Sequence, residues 1–266
     1  MIAATLEVVA INLALLLAAL TLLWLVSLRL RDASIIDIFW GLGFVVVAWS
    51  TRAQLAAPSP ESILLPLAAT LWGVRLAAYL AARNLGHGED KRYAAMRRAR
   101  PTTFWWWSYL AVFGLQGVLC LLVSLPLQLG QIFGQIGARP SGVTLFDVVG
   151  LLLFVFGFAY ESIADYQLAR FKRDPANAGK VMDSGLWRHT RHPNYFGEAV
   201  LWWGIGVMAA AAPEARWAFV GPLLITLLLL RVSGVTLLEK TIVDRRPGYA
   251  DYIRRTNAFI PGPRGG

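Results

Sequence analysis

Apolar residues run through this chain in blocks too long for ordinary soluble helices. Residues 8–28 contain no charge, and about 20 apolar residues in a helix cross the hydrocarbon core of a bilayer. Similar blocks follow at 35–55, 62–82, 104–127, 144–160, 196–212 and 217–238. The first block has no basic segment before it and no small-residue cleavage site after it, so it reads as an anchor helix and not a signal peptide. The fourth lies in a longer uncharged tract, 101–138, which the pattern divides at Pro126 because Gln128, Gln131, Gln135 and three glycines follow. That tail is expected as a loop or an interfacial segment. The pattern predicts an all-α integral membrane protein with seven transmembrane helices.

The cations orient this map. Twenty of the 25 Lys and Arg residues fall after the first, third, fifth and seventh blocks, and three (Arg52, near the end of the second block, Arg139 and Arg216) fall on the other side. Arg75 and Arg231 lie inside blocks. Basic loops stay on the cytoplasmic side, which places the N-terminus outside and the C-terminus in the cytoplasm, with a bacterial inner membrane as the expected location. The net charge of +9 therefore does not form the continuous basic face that nucleic acid needs.

Composition agrees. Charged residues make up 15% of the chain, against roughly 25% in soluble domains, too few to coat a soluble surface. The single Cys120 excludes an internal disulfide framework and a cysteine-based metal site. No repeat or linker divides the chain, so one membrane-embedded domain, 1–266, is expected.

Polar residues within apolar helices are costly and face a cavity or a partner. Asp37, Trp40 and Phe44 share one helix face by their spacing, as do Trp72, Arg75, Tyr79 and Arg83. Glu161, Asp165, Leu168 and Lys172 form a third stripe, and Glu198 opens the sixth helix. Each could be an interhelical ion pair; Asp37 with Arg75 is one such pair. As a set, mostly toward the cytoplasmic half, they describe a polar pocket open to the cytoplasm. Trp105, Trp106 and Trp107 suit an interfacial belt. His189 and His192 are spaced i, i+3 before a proline, with no further ligand pattern, so no metal site is expected.

Between the fifth and sixth blocks, residues 184–198 read Ser-Gly-Leu-Trp-Arg-His-Thr-Arg-His-Pro-Asn-Tyr-Phe-Gly-Glu. Arg188 and Arg191 precede a turn set by Pro193, and Asn194 and Glu198 lie i, i+4 beyond it. Cations, an amide and a carboxylate at a cavity mouth suit a ligand with phosphates at one end and hydrogen-bonding groups at the other. A basic loop on anionic lipid headgroups would explain the arginines but not Asn194 and Glu198. No Gly-x-Gly-x-x-Gly follows a strand, which excludes a soluble dinucleotide fold.

The run Arg191-His-Pro-Asn-Tyr-Phe-Gly-Glu198 resembles the cofactor motif of membrane sterol and steroid reductases. Residues 161–172, with Asp165 seven residues before Lys172, look like that family's helix. Residues 245–261 resemble its C-terminal end, and Arg75 with the loop 88–93 resembles the bacterial branch of the steroid 5α-reductase family, formerly a domain of unknown function. The resemblance implies a seven-helix membrane enzyme that binds NADPH from the cytosol. Its expected reaction adds a hydride to the C=C bond of a lipophilic α,β-unsaturated ketone such as a 3-oxo-4-ene steroid. Asp165, Lys172, Asn194 and Glu198 take cofactor roles by motif position, and Arg75 a phosphate. Arg83, Glu161, Arg188, Arg191, His192, Tyr195, Arg245, Arg246, Tyr249 and Tyr252 join the expected cofactor set. The family's proton donors, a carboxyl and a tyrosine, fall near Asp37 and Trp72; Tyr79 and Tyr93 are the phenols nearby. Asp37 reads as an isolated carboxyl, which when neutral can donate to a ketone oxygen. Expected partners are a lipophilic enone and membrane lipid, with no protein partner evident.

An S-adenosylmethionine-dependent isoprenylcysteine-type methyltransferase shares the Arg-His-Pro-x-Tyr turn and is the alternative. Asn194 with Glu198, and Asp165 with Lys172, favour the reductase. A transporter would show inverted repeats or broken mid-membrane helices, and the sequence has neither pattern.

Overall fold

The computed structural model describes residues 2–56, 59–136, 139, 142–232, 235, 239, 242, 246 and 248–265. Every regular element among them is helical. Six helical stretches among the described residues are long and apolar enough to cross a membrane: Ile2–Leu30, Ile35–Ala53, Pro60–Asn84, Phe104–Gln135, Leu145–Arg173 and Pro213–Val232. The helix at the sixth predicted block, Pro193–Ala209, has 17 residues, at the short end of the spanning range. The described residues gather into two compact units, 1–147 with 208–220, and 148–207 with 221–266.

The first unit is built on α1 (Ile2–Leu30), α2 (Ile35–Ala53) and α3 (Pro60–Asn84). Of α1 only Asn12, Leu16, Leu20 and Ser27 are buried, a single stripe at helical spacing. Its other faces stay apolar and exposed, with Leu22 and Leu25 among them, which suits hydrocarbon and not water. Helices α2 and α3 cross at two glycines. A Cβ on Gly41 would lie 2.6 Å from the carbonyl oxygen of Gly73, and one on Gly73 would strike the Gly41 backbone. Small residues bring membrane helices into backbone contact; here Phe44 then closes on Trp72, ring centroids 5.5 Å apart. Ser59 starts α3 with a capping box to Ser62, and Pro60 occupies the first turn, where its missing N–H costs nothing.

The segment after α3, expected as a loop, contains a helix, α4 (Lys91–Ala99), capped by Asp90 through the Arg92 N–H. Glu89 anchors it. Its carboxylate accepts from the Ala33 N–H at 2.9 Å and from Arg97 at 2.8 and 3.0 Å. Burial pushes the Glu89 carboxyl upward, but these donors hold it below the ordinary value. Arg97 also lies over the Phe104 ring, 4.4 Å from its centroid.

The next stretch runs α5 (Phe104–Ser108), a π-helical Tyr109–Gly114 and α6 (Leu115–Val123), followed by α7 (Leu125–Ile136). The division at Pro126 is thus corrected: the tail is helix. Pro126 sits in the first turn of α7, where a proline is tolerated. The glutamines that suggested a loop serve packing. Gln128 and Gln131 are buried; Gln128 Oε1 accepts from Asn12 at 2.9 Å, and Gln131 donates to the Ala48 carbonyl at 3.1 Å. A second polar group at this end joins Arg139 to Glu61 and, at 2.7 Å, to Asp147.

In the second unit, α8 (Leu145–Arg173) and α9 (Pro193–Ala209) also meet through glycines. A Cβ on Gly197 would lie 2.7 Å from the Gly157 carbonyl oxygen, and one on Gly204 would lie 2.6 Å from that of Gly150. Trp203 donates to Thr226 on α10 (Val220–Leu227) at 3.2 Å. The chain ends in α11 (Tyr249–Arg255) and a tail without regular structure.

Candidate active site

The turn between α8 and α9 is fixed from three sides. Trp187 donates its indole N–H to the Ala164 carbonyl on α8 at 3.0 Å. Tyr252 on α11 donates its hydroxyl to the Trp187 carbonyl. The C-terminal tail adds an Arg191 N–H to Asn257 carbonyl bond at 2.9 Å and a Gly262 N–H to His189 carbonyl bond at 3.0 Å. Gly185, at φ +60°, supplies the left-handed conformation that glycine adopts without steric cost.

Two of the expected cofactor residues hold this turn. Arg191 is buried and gives its guanidinium to Glu239 at 2.7 and 3.0 Å and to the carbonyls of Ile253, at 3.2 Å, and Thr256. His192 Nε2 lies 3.0 Å from Glu239 Oε1, so the ring donates from Nε2, because a carboxylate only accepts. Burial raises the Glu239 carboxyl, yet the bonds from His192 and Arg191 hold it down to about 2. Tyr249 is pushed up to about 12 by burial and by Glu239. Tyr252 is raised chiefly by burial, so both phenols stay protonated.

The remaining second-unit candidates group on α8 and the start of α9. Asn194 donates from Nδ2 to Asp165 Oδ1 at 3.1 Å. Its Oδ1 is buried with no partner among the described residues. Glu161, Asp165 and Glu198 are buried, whereas Lys172 and Arg188 are exposed. The Tyr195 ring stacks on His192 with centroids 5.5 Å apart. Arg246 donates to the Lys180 carbonyl. Arg245 lies outside the described residues.

In the first unit, Asp37 is not isolated and does not take Arg75 as its ion partner. Helix α4, held by Glu89, brings two side chains over the first turn of α2. Arg92 reaches Asp37 Oδ2 at 2.7 Å, and Tyr93 donates to Asp37 Oδ1 at 2.7 Å. Gln116 of α6 donates in turn to the Tyr93 hydroxyl at 3.3 Å. Burial and then the Asp37 carboxylate raise the Tyr93 phenol well above its ordinary value. Burial works against the Arg92 charge, and Asp37, Asp90 and Tyr93 together outweigh it. Beside this chain lies a narrow apolar cleft lined by Leu20, Ile36, Phe39, Trp40, Gln116 and Cys120, among others.

The other two donor candidates lie elsewhere on α3. Trp72 is fully buried against Phe44. Tyr79 is half-buried with Arg75 and Arg83 over its ring, 5.4 and 5.8 Å from the centroid. The structure therefore joins Asp37 with Tyr93 and groups Arg75, Tyr79 and Arg83. It also adds Glu239, Arg92 and Gln116, which the sequence had not singled out. Gln116 is a lone amide in an otherwise apolar helix, and that was the signal available. Arg92 and Glu239 sit among other charges in the sequence, where nothing in the pattern distinguishes them. No group of three or more His, Cys, Asp or Glu side chains suited to a metal occurs among the described residues.

Among known proteins, the chain is 25% identical to the uncharacterized protein C594.04c of Schizosaccharomyces pombe over 277 aligned residues, 90% of this chain and 75% of that one. It is 35% identical to the steroid 5-alpha-reductase DET2 of Gossypium hirsutum over 74 residues, 28% of this chain and 26% of that one. No solved structure matches it significantly. The model of the family described as "Protein of unknown function (DUF1295)" matches residues 23–256, and with most of its length matched the chain belongs to that family.

Proposed function

We propose that the protein is a membrane reductase that uses NADPH to reduce the C=C bond of a lipophilic α,β-unsaturated ketone. The observation that carries this reading is the Asp37–Tyr93 pair, a buried phenol bonded to a carboxylate and, through Gln116, to the wall of an apolar cleft. The partial similarity to a steroid 5-alpha-reductase supports a reductase over the methyltransferase that shares the Arg-His-Pro-x-Tyr turn.

When bound, NADPH would supply a hydride, two electrons with one hydrogen, for the β-carbon. As negative charge gathers on the ketone oxygen, a donor facing that oxygen lowers the barrier. Tyr93 is that donor: its hydroxyl, bonded to Asp37 without substrate, turns to the ketone oxygen, and its proton moves there and gives an enol, which tautomerises to the saturated ketone. Asp37, with Arg92 against its other oxygen, aligns the phenol, and water restores the Tyr93 proton. Trp72, buried in helix packing, and Tyr79, flanked by cations, are the weaker donors.

The second unit suits the cofactor. The buried Asn194 Oδ1 without a partner among the described residues is an acceptor for a carboxamide N–H, and a nicotinamide carries one. Asp165 orients the Asn194 amide, and Glu161 and Glu198 are buried on the same two helices. Lys172, Arg188 and Arg246 are cations for phosphates; Arg75 and Arg83, which the resemblance implies for the same role, group at Tyr79 in the first unit. Arg191, His192, Tyr249 and Tyr252 act by holding the turn.

We further propose seven spans, with Pro193–Ala209 as the sixth, the N-terminus outside and the reaction open to the cytoplasm. The basic asymmetry of the loops supports this topology. Reporter fusions near Gly265 should read cytoplasmic and those at Glu61 external; the opposite result would reject it. For the activity, purified protein should gain thermal stability with NADPH and not with S-adenosylmethionine, and should oxidise NADPH when a lipophilic enone is added. Stabilisation by S-adenosylmethionine alone would reverse the assignment.

A further inference from the structure

We propose that Gln116 is a positioning residue of the reduction, holding the Tyr93 oxygen and stabilising it as its proton leaves; this rests on the reductase reading above. The phenol oxygen has one proton and two lone pairs. Gln116 Nε2 donates into that oxygen at 3.3 Å, and without substrate the single proton goes to Asp37, 2.7 Å away; the Gln116 bond keeps the oxygen in place while the proton turns from Asp37 to the ketone. Once the proton goes to substrate, a phenolate remains beside the Asp37 carboxylate in a buried setting. Like charges and burial both oppose it. Arg92 offsets this through Asp37, and the Gln116 N–H acts on the phenolate oxygen itself, in a bond that strengthens as the charge develops.

Two further observations place Gln116 there for more than packing. It lines the apolar cleft, where an amide with no polar partner would be costly. It also lies two residues beyond the π-helical Tyr109–Gly114. A π turn adds a residue to the helical turn and rotates the side chains beyond it, and such turns concentrate at functional sites.

The test uses full-length protein in detergent or lipid with NADPH and a panel of 3-oxo-4-ene steroids and linear enones. Gln116→Leu keeps bulk and removes the donor; kcat should fall roughly tenfold to a hundredfold with KM little changed. Gln116→Glu is isosteric and donates only when protonated. Its kcat should approach the wild-type value at low pH and fall as pH rises through the carboxyl titration, a profile that wild type lacks. A loss confined to KM, a wild-type pH profile in Gln116→Glu, or failure of both variants to fold would make Gln116 a packing residue and overturn the proposal. If wild-type protein turns over no enone, the reductase reading falls first and this inference with it; turnover by wild type with unchanged variants removes this inference alone.

Discussion

Tyr93 and Asp37, 56 positions apart, share a 2.7 Å hydrogen bond in which the phenol donates. The bond exists because Glu89 ties the start of α4 to the backbone of Ala33, just ahead of α2. Removing the Tyr93 hydroxyl tests its role directly. Tyr93→Phe should keep the fold and NADPH binding and lose on the order of 100-fold or more in kcat. A folded Tyr93→Phe with normal kcat would transfer the donor role to Tyr79.

Asp37 has two functions that substitution separates. Asp37→Asn keeps an acceptor for Tyr93 but not the charge opposite Arg92; Asp37→Ala removes both. Activity per folded, NADPH-bound molecule should fall in the order wild type, Asn, Ala. If Asp37 serves only as the ion partner of Arg92, thermal stability falls in both variants while the folded fraction turns over normally.

Asn194→Ala removes a buried acceptor and the Asp165 contact together, whereas Asn194→Asp keeps the acceptor and adds a charge beside Asp165. Both should weaken NADPH binding by about tenfold or more, since one hydrogen bond in a buried site contributes roughly 0.5–1.5 kcal/mol and an unsatisfied or repelling group costs more. Titration of the purified variants with NADPH, followed by nucleotide fluorescence, measures this. Unchanged affinity in both would remove Asn194 from the cofactor set.

Glu239 gives a pH dependence of known sign. Its carboxyl is held at about 2, below the ordinary 4.5, by His192 and Arg191 against the effect of burial. The folded state therefore binds fewer protons than the unfolded state between those values, so stability rises with pH there. The contribution is complete above about 4.5 and is lost as pH falls toward 2. Glu239→Gln should flatten the acid limb of thermal stability, and an unchanged limb would show that another carboxylate governs it.

The glycine crossings predict a size limit. Gly41→Ala places a methyl group 2.6 Å from the Gly73 carbonyl oxygen, and separating α2 from α3 to admit it should cost roughly 1–3 kcal/mol. Gly41→Val should cost more. Thermal unfolding in one detergent checks the order; equal melting temperatures would mean that the helices are not in close contact there.

The helical blocks were legible because hydrocarbon imposes one rule, long uncharged runs, that local sequence carries by itself. The row Gln128, Gln131 and Gln135 misled for a related reason. Amides mark loops in water, but between membrane helices they bond one another and the backbone, and only the partner Asn12, more than a hundred positions away, reveals this. The motif around Pro193 named the right segment without separating its parts. Arg191 and Asn194 sit three residues apart, yet one faces Glu239 and the other Asp165, and the division depends on the tertiary position of Glu239. The Asp37–Tyr93 bond was hidden because α4 lies in a stretch whose charges outnumber its apolar residues, and a nine-residue helix capped by Asp90 leaves little periodic signal.

Residues 257–262 close the turn at 189–191: the Arg191 N–H donates to the Asn257 carbonyl, the Gly262 N–H to the His189 carbonyl and the Thr190 hydroxyl to the Phe259 carbonyl. Chains grow from the N-terminus, so this turn cannot reach its final shape while the membrane helices ahead of it are already in place and translation is still under way. The order of synthesis makes the tail a completion step. A product stopped at Arg255 would carry every intramembrane helix and each proposed reacting group, yet would leave the Arg191 guanidinium without its Thr256 carbonyl and the turn unfinished. Quality control of such a product would then act on a folded helical scaffold with an open loop, and proteolysis should begin between residues 184 and 192.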